Sequence, residues 1–235
     1  MTTTELAELS LAAELDLGAY HEAHVGERIR RALARESLGS VEELAGLIER
    51  DAPARARFRR SLAVSVSGLF RDPEQFDFLE REVLPGLVAG TRRISVWSAG
   101  CADGSELYSV ALLLDRLGVL DRSFLLGTDL LADNLALARR GAFDDVRIPA
   151  HVRARVRWQQ QDLLATADGD GAFRLVLCRN VAIYLSRAGK ERLHRRLSSA
   201  LARDGVLVLG RSERLAAPAA LGLAPAGPHA YRRCA

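Results

Sequence analysis

Residues 94–104 read ISVWSAGCADG: strand-forming residues end on a small-residue turn holding Gly100 and Gly104, and Glu106 follows just inside a helical pattern. Such a turn is one way to seat a nucleotide-like ligand, because its backbone and the following helix N-terminus can approach the ligand closely. It is equally an ordinary corner of an α/β protein. The next strand-like run, SFLLGTDL, ends on Asp129, where such units hold a ribose diol by hydrogen bonds; capping the following helix is the competing role. After Gly100 the next glycine is four residues on, which is not G-x-G-x-x-G, and no G-K-[ST] occurs, so nothing supports phosphate binding at this turn. S-adenosylmethionine, which has an adenosine and no phosphate, fits what remains.

Two further groups sit at places where chemistry is expected. The segment CRNVAIYLS puts Arg179 and Asn180 at the carboxyl end of a strand, with Tyr184 in the same short loop. Polar side chains there are costly to bury without partners, so they serve either a site or a structural network. The segment SVSGLFRDPEQF puts Arg71 and Asp72 between Phe70 and Pro73; a surface arginine beside a helix-capping aspartate is the plainer reading. Cys101, Cys178 and Cys234 are far apart and lack CxxC spacing, which argues against a zinc site or a disulfide framework and fits a reducing cytoplasm. No metal is expected.

These residues need elements to hold them. Residues 1–80 show helical spacing, as in AYHEAHVGERIRRAL and VEELAGLIER, and Ser40 with Glu43 predicts a capping box. A helix through FDFLEREVLPGL then leads into an alternation of strands and helices: RISVWSAG, SFLLGTDL, VRWQQQDLL, FRLVLCRNV and GVLVLGRSE as strands, with AGPHAYRRCA supplying one more. That alternation predicts an α/β fold with a parallel sheet covered on both faces and ligands at the carboxyl ends of its strands. The predicted division is a helical domain over 1–75 and a ligand-binding domain over 76–235. The chain starts with acids rather than a basic leader, and no run approaches the roughly 18 apolar residues of a membrane span. Arginines cluster at Arg55, Arg57, Arg59 and Arg60 and again at Arg153, Arg155 and Arg157. They read as solvated faces before they read as a nucleic-acid stripe.

The segments SVSGLFRDPEQFDFLEREVLP, SVWSAGCADGSELYSVALLL, LLGTDLLADNLALARRGAF, LVLCRNVAIYLSRAGKERLHRRLSSAL and GVLVLGRSE resemble, in order, those of CheR-type chemoreceptor methyltransferases. The resemblance runs from about Gly18 to the C-terminal AYRR. It implies a Rossmann-like class I methyltransferase sheet with a small N-terminal all-helical domain. It implies S-adenosylmethionine as methyl donor, S-adenosylhomocysteine as product, and a glutamate side chain of a receptor-like or signalling protein as acceptor, in the cytoplasm, without nucleic acid or membrane insertion. By the same resemblance Arg71 and Tyr184 are the catalytic pair. Ser67, Arg71, Gly100, Glu106, Asp129, Asp162, Leu163, Arg179 and Asn180 surround the cofactor: Glu106 suits the methionine ammonium, Asp129 the ribose, and Asp162 with Leu163 the adenine.

The chain departs from the family pattern in three places. Ser105 replaces the first acid of the usual Glu-Glu pair. Val64-Ser65-Val66-Ser67 replaces Thr-Asn-Glu-Thr, keeping only a hydroxyl. Asp162 follows Phe143 by only 19 positions, an interval in which the family has a β-subdomain several tens of residues long that docks on receptors. A small-molecule acceptor is therefore the second enzymatic expectation, and a non-catalytic S-adenosylmethionine-binding signalling module the alternative outside enzymes.

Overall fold

Apolar residues at three- and four-residue spacing build α1 (Thr3–Ala13), α2 (Glu22–Glu36), α3 (Val41–Arg50) and α4 (Ala52–Leu62), in a computed structural model that describes residues 1–63, 68–89, 91–165 and 171–234. Each helix buries one stripe, such as Val25, Ile29 and Ala32 of α2 and Leu44 and Ile48 of α3. Only half of the predicted box at α3 forms. Ser40 Oγ accepts from Glu43 N (3.2 Å), but the Glu43 carboxylate takes Gly39 N (2.8 Å) instead of the Ser40 amide. The complete box is at α1, between Thr2 and Glu5.

Contacts divide the chain into two units, Met1–Val64 with Ala182–Leu193, and Ser65–Val181 with His194–Ala235. The sequence reading places one break after residue 75 and has no returning segment. The return is made by single contacts without periodicity. Tyr20 bridges Leu185, His21 N donates to Tyr184 O (3.0 Å), Ser186 N donates to Ala19 O (2.9 Å) and Arg192 pairs with Asp16 (2.7 Å).

In the second unit the helix predicted through FDFLEREVLPGL is α5 (Pro73–Phe78), a wide turn over Leu79–Val83, and α6 (Leu84–Val88). Pro85 explains the wide turn: it has no N–H, and its ring crowds the carbonyl four residues back. The helix widens so that Leu84 N donates to Leu79 O, five residues earlier, and continues.

The strands are β1 (Ile94–Ala99), β2 (Ser123–Asp129), the short β3 (Ala142–Phe143) and β4 (Val146–Arg147), β5 (Val156–Gln160), β6 (Phe173–Cys178), β7 (Leu201–Leu209), β8 (Leu223–Gly227) and β9 (Ala230–Arg233). Seven form one sheet in the order β5-β2-β1-β6-β7-β9-β8. The first five of these run parallel, and β9 is antiparallel to both β7 and β8. The helices α7 (Ser105–Arg116), α8 (Ala132–Arg140), the short α9 (Ala150–Arg153) and α10 (Arg187–Ala200) complete the alternation. Strand order reverses between β1 and β6, and the crevice at their carboxyl ends is where a doubly wound sheet places its ligand.

The tail corrects the sequence reading: it supplies two strands instead of one. Pro225 hides β8 from a propensity argument, but β8 is the sheet edge, where a residue without an N–H is tolerated. Between α8 and β5 the chain holds only the β3–β4 pair and α9.

Candidate functional site

The β1–α7 turn is pinned to the neighbouring strand. Gly100 N and Cys101 N both donate to Thr128 O (2.8 and 2.9 Å). Gly100 and Gly104 have φ of +77° and +84°, which glycine adopts at least cost. A Cβ on Gly100 would lie 2.6 Å from Val181 Cγ2 and 3.8 Å from Leu163 Cδ1, so the turn, the segment after β5 and the exit of β6 meet there.

Asp129 sits at the end of β2, buried. Its Oδ1 accepts from Leu131 N and Asn134 Nδ2 and its Oδ2 from Ala102 N, all at 2.9 Å. Two carboxylate oxygens offer about four acceptor positions, so one remains, on Oδ2. Burial raises its pKa, and the three hydrogen bonds oppose that rise. The carboxylate both braces the start of α8 and ties it to the glycine turn, and one acceptor position stays open.

Glu106 accepts from Ser98 Oγ (2.7 Å) and pairs with Arg179 (3.3 Å). Its pKa is raised by burial, against the pull of Arg179 and Ser98, and Glu213 adds to the rise. Arg179 is the hub: Nε donates to Gln75 Oε1 (2.8 Å), Nη1 to Glu106, and Nη2 to Arg71 O (2.8 Å) and Asp72 Oδ2 (2.6 Å). Its guanidinium also lies 5.2 Å from the Phe76 ring centroid. Asp72 therefore serves Arg179 and makes no helix cap with its side chain.

The Gly68–Asp72 segment is held from the other side by α7. Gly68 N donates to Ser105 Oγ (3.1 Å) and Phe70 N to Ser109 Oγ (2.8 Å). Phe70 and Asp72 have φ of +52° and +59°, a strained path maintained by these bonds and by Arg179. Ser105, a departure from the family pattern, thus has a structural use. Arg71 is brought to the carboxyl end of the sheet by its backbone; Ser67 lies outside the described residues.

Asn180 adopts φ +63°, and its N donates to Glu213 Oε2 (2.7 Å), which also accepts from Gly210 N (2.8 Å). Glu213 and Gln75, whose Nε2 donates to Leu209 O (3.0 Å), tie the ends of β6 and β7 together. Sequence reasoning gave them no role. The only signal was the acid that closes GVLVLGRSE and the glutamine directly after FRDPE. Asp162 Oδ1 accepts from Leu164 N (2.8 Å), and Asp162 O accepts from Arg196 (3.1 Å). Tyr184 belongs to the first unit, its ring 5.1 Å from that of His24. Cys101 and Cys178 are buried and their thiols pushed well up, so neither resembles an activated nucleophile.

Asp103, Glu106, Asp129 and Glu213 thus gather at the strand ends around the turn, with Arg179 committed to protein partners. That donor set fits a cation-bearing, phosphate-free ligand: carboxylates attract an ammonium or sulfonium and would repel a phosphate. A hydroxyl-bearing group can use the remaining acceptor position of Asp129.

A family model described as CheR methyltransferase, SAM binding domain, matches residues 65–150 and 144–223, two segments that overlap over 144–150. A chemotaxis protein methyltransferase of Listeria innocua is 32% identical, covering 89% of this chain and 88% of the relative. Chemotaxis protein methyltransferase 1 of Pseudomonas aeruginosa is 29% identical, covering 85% and 84%. Among solved structures, a TehB-like SAM-dependent methyltransferase of Corynebacterium glutamicum is 18% identical, covering 68% of this chain and 93% of its own, at a TM-score of 0.44.

Proposed function

Since the chain belongs to the CheR methyltransferase family, whose cofactor is S-adenosylmethionine, we propose that it methylates a carboxylate, the side chain of a glutamate on a receptor-like or signalling protein. The observation that carries this reading is the double tether of the Gly68–Asp72 segment, to Ser105 and Ser109 of α7 and to Arg179 of β6. It fixes the backbone of Arg71 beside the acids that suit the donor.

Gly100, Glu106, Asp129, Asp162 and Leu163 would hold the cofactor, with Asn180 on the β6 side. Bound S-adenosylmethionine supplies a methyl group on a cationic sulfonium, and an anionic acceptor oxygen cancels that charge as it takes the methyl. A glutamate with an ordinary pKa near 4.3 is already ionised at neutral pH, so no general base is needed. The work left to the protein is alignment and exclusion of water. Arg71 offers a planar fork matched to a carboxylate. Arg179 acts through it as a positioning residue, because its own donors are spent on Gln75, Glu106, Arg71 O and Asp72. Tyr184 is assigned to the catalytic pair by the family resemblance alone.

A second reading, a small-molecule carboxylate as acceptor, is favoured by the short interval after Phe143, which holds β4 and α9 and no larger subdomain. Lysate of a strain lacking the protein, incubated with the purified chain and methyl-labelled S-adenosylmethionine, separates the two. Base-labile label on a protein supports the first reading. Label only in the small-molecule fraction supports the second, and no transfer to either overturns both. Arg71→Ala should lower turnover about 10²-fold or more while changing cofactor affinity less than threefold, as expected for an orienting group; wild-type turnover in this variant removes Arg71 from the catalytic pair.

A further inference from the structure

At the amino ends of the strands a recess of about 390 Å³ is lined by Arg92, Arg93, Arg122, Arg155 and Arg157, with Asp121 as its one acid and Phe124 among its walls. It lies about 20 Å from the glycine turn, the length of a six-residue strand. Five arginines against one aspartate give it a formal charge of +4, where the whole chain carries +3. Asp121 pairs with Arg155, and its side chain is 89% exposed, so it neutralises little of the interior. Arg122 is spent on the carbonyl of Thr91.

Arg92, Arg93 and Arg157 have no acidic partner among the described residues. Two of them are nevertheless held: the guanidiniums of Arg93 and Arg157 lie 5.4 and 5.7 Å from the Phe124 ring centroid. A cation seated on a ring loses less freedom on binding than a free arginine, and its N–H fork stays available at the edge. Concentrating unpaired like charges in a recess raises the local potential and is a cost to folding unless an anion answers it.

We infer that this recess is a second binding site, for a small molecule bearing a diphosphate. The volume suits a ligand of nucleotide size. Three unpaired guanidiniums match the clustered oxygens of two linked phosphates better than a single carboxylate. Single-stranded nucleic acid fits less well, since Phe124 is covered by the arginines and stacks with Phe173 (6.4 Å), leaving no free ring for a base. The site is built for the anion that the glycine turn, ringed by acids, would repel.

The test is calorimetry on the full chain with inorganic pyrophosphate and with ADP, at about 50 and 200 mM salt. Saturable binding that weakens at the higher salt is expected. Arg93→Ala with Arg157→Ala should weaken it about tenfold or more, and the Lys pair less. Arg59→Ala, in α4, should change nothing. Each variant's binding of S-adenosylhomocysteine, unchanged, shows that it is folded. ADP binding as well as or better than pyrophosphate supports a nucleotide; pyrophosphate binding better supports the diphosphate alone. Absence of saturable binding, or wild-type binding by the Ala pair, overturns the inference. So does a chain that binds phosphatidylglycerol vesicles through these arginines and ignores pyrophosphate.

Discussion

Asp129 shows how one carboxylate can serve structure and still keep an acceptor position open. Three of its acceptor positions hold the chain's own N–H groups, and one is left for a ligand hydroxyl. Asp129→Asn should therefore weaken S-adenosylhomocysteine binding about tenfold and lower stability by about 1 kcal/mol, since the half-buried Ala102 N–H loses its acceptor. Unchanged affinity by calorimetry would remove the ribose role. Glu106 carries a pH signature. Its pKa is raised above the ordinary 4.5 by burial, so its contribution to stability is full below that value and declines as pH rises through the folded-state pKa. Glu106→Gln abolishes this term, so the stability of the variant relative to wild type should improve as pH rises from about 4 to 8. Denaturant midpoints across that range check it, and a pH-independent difference would refute it. The positions of these acids were legible in the sequence because the strand end that carries Asp129 and the helix start that carries Glu106 are legible. Glu213 and Gln75 were not, because their partners, Asn180, Gly210, Leu209 and Arg179, come from elements that only the fold brings together.

At the scale of elements, close approach explains the small residues. Gly127 of β2 pairs with Trp158 of β5, and a Cβ there would lie 2.3 Å from the indole. The same ring crowds Gly104 at 2.5 Å and meets Tyr108 edge-on at 5.3 Å. Trp158 thus fills the space that two glycines leave. Gly127→Ala should cost about 1–3 kcal/mol by overpacking. Combining it with Trp158→Leu should recover part of that cost, a coupling that a double-mutant cycle measures; strict additivity would mean that the ring is not the obstacle. Strand order, the helix alternation and the carboxyl-end site were legible from period and punctuation. The wide turn before Pro85 and the second C-terminal strand were not, since both depend on neighbours: one on a carbonyl a turn away, the other on lying at a sheet edge.

At the scale of the molecule, the chain crosses between its two units more than once. Residues 182–193 complete the first unit after the chain has already built most of the second. A truncated chain starting at residue 65 should keep hydrogen-exchange protection in β1, β2 and β6. The amide of Ser186 should lose it, because its acceptor, Ala19 O, is gone. Retained protection at Ser186 would show that the segment is held without the first unit. The same reasoning separates the two ends of the sheet: acids gather at the carboxyl ends and arginines at the amino ends, so a nearly neutral chain carries regions of opposite charge at the two ends.

The sequence by itself determined the α/β alternation, the family, and the turn-and-acid pair of Gly100 and Asp129, because these rest on local periodicity, on glycine's freedom at positive φ and on short motifs. Only the tertiary structure decided that Arg179 is a buried hub serving Arg71, Asp72, Gln75 and Glu106. Only it put Arg92, Arg93, Arg122, Arg155 and Arg157 around one recess, where the sequence shows Arg155 and Arg157 as part of a solvated face. The physical reason is range. Secondary structure and turns are set by residues within a few positions, whereas the partner of a buried charge is chosen by which strands lie side by side, and that order is a property of the whole sheet.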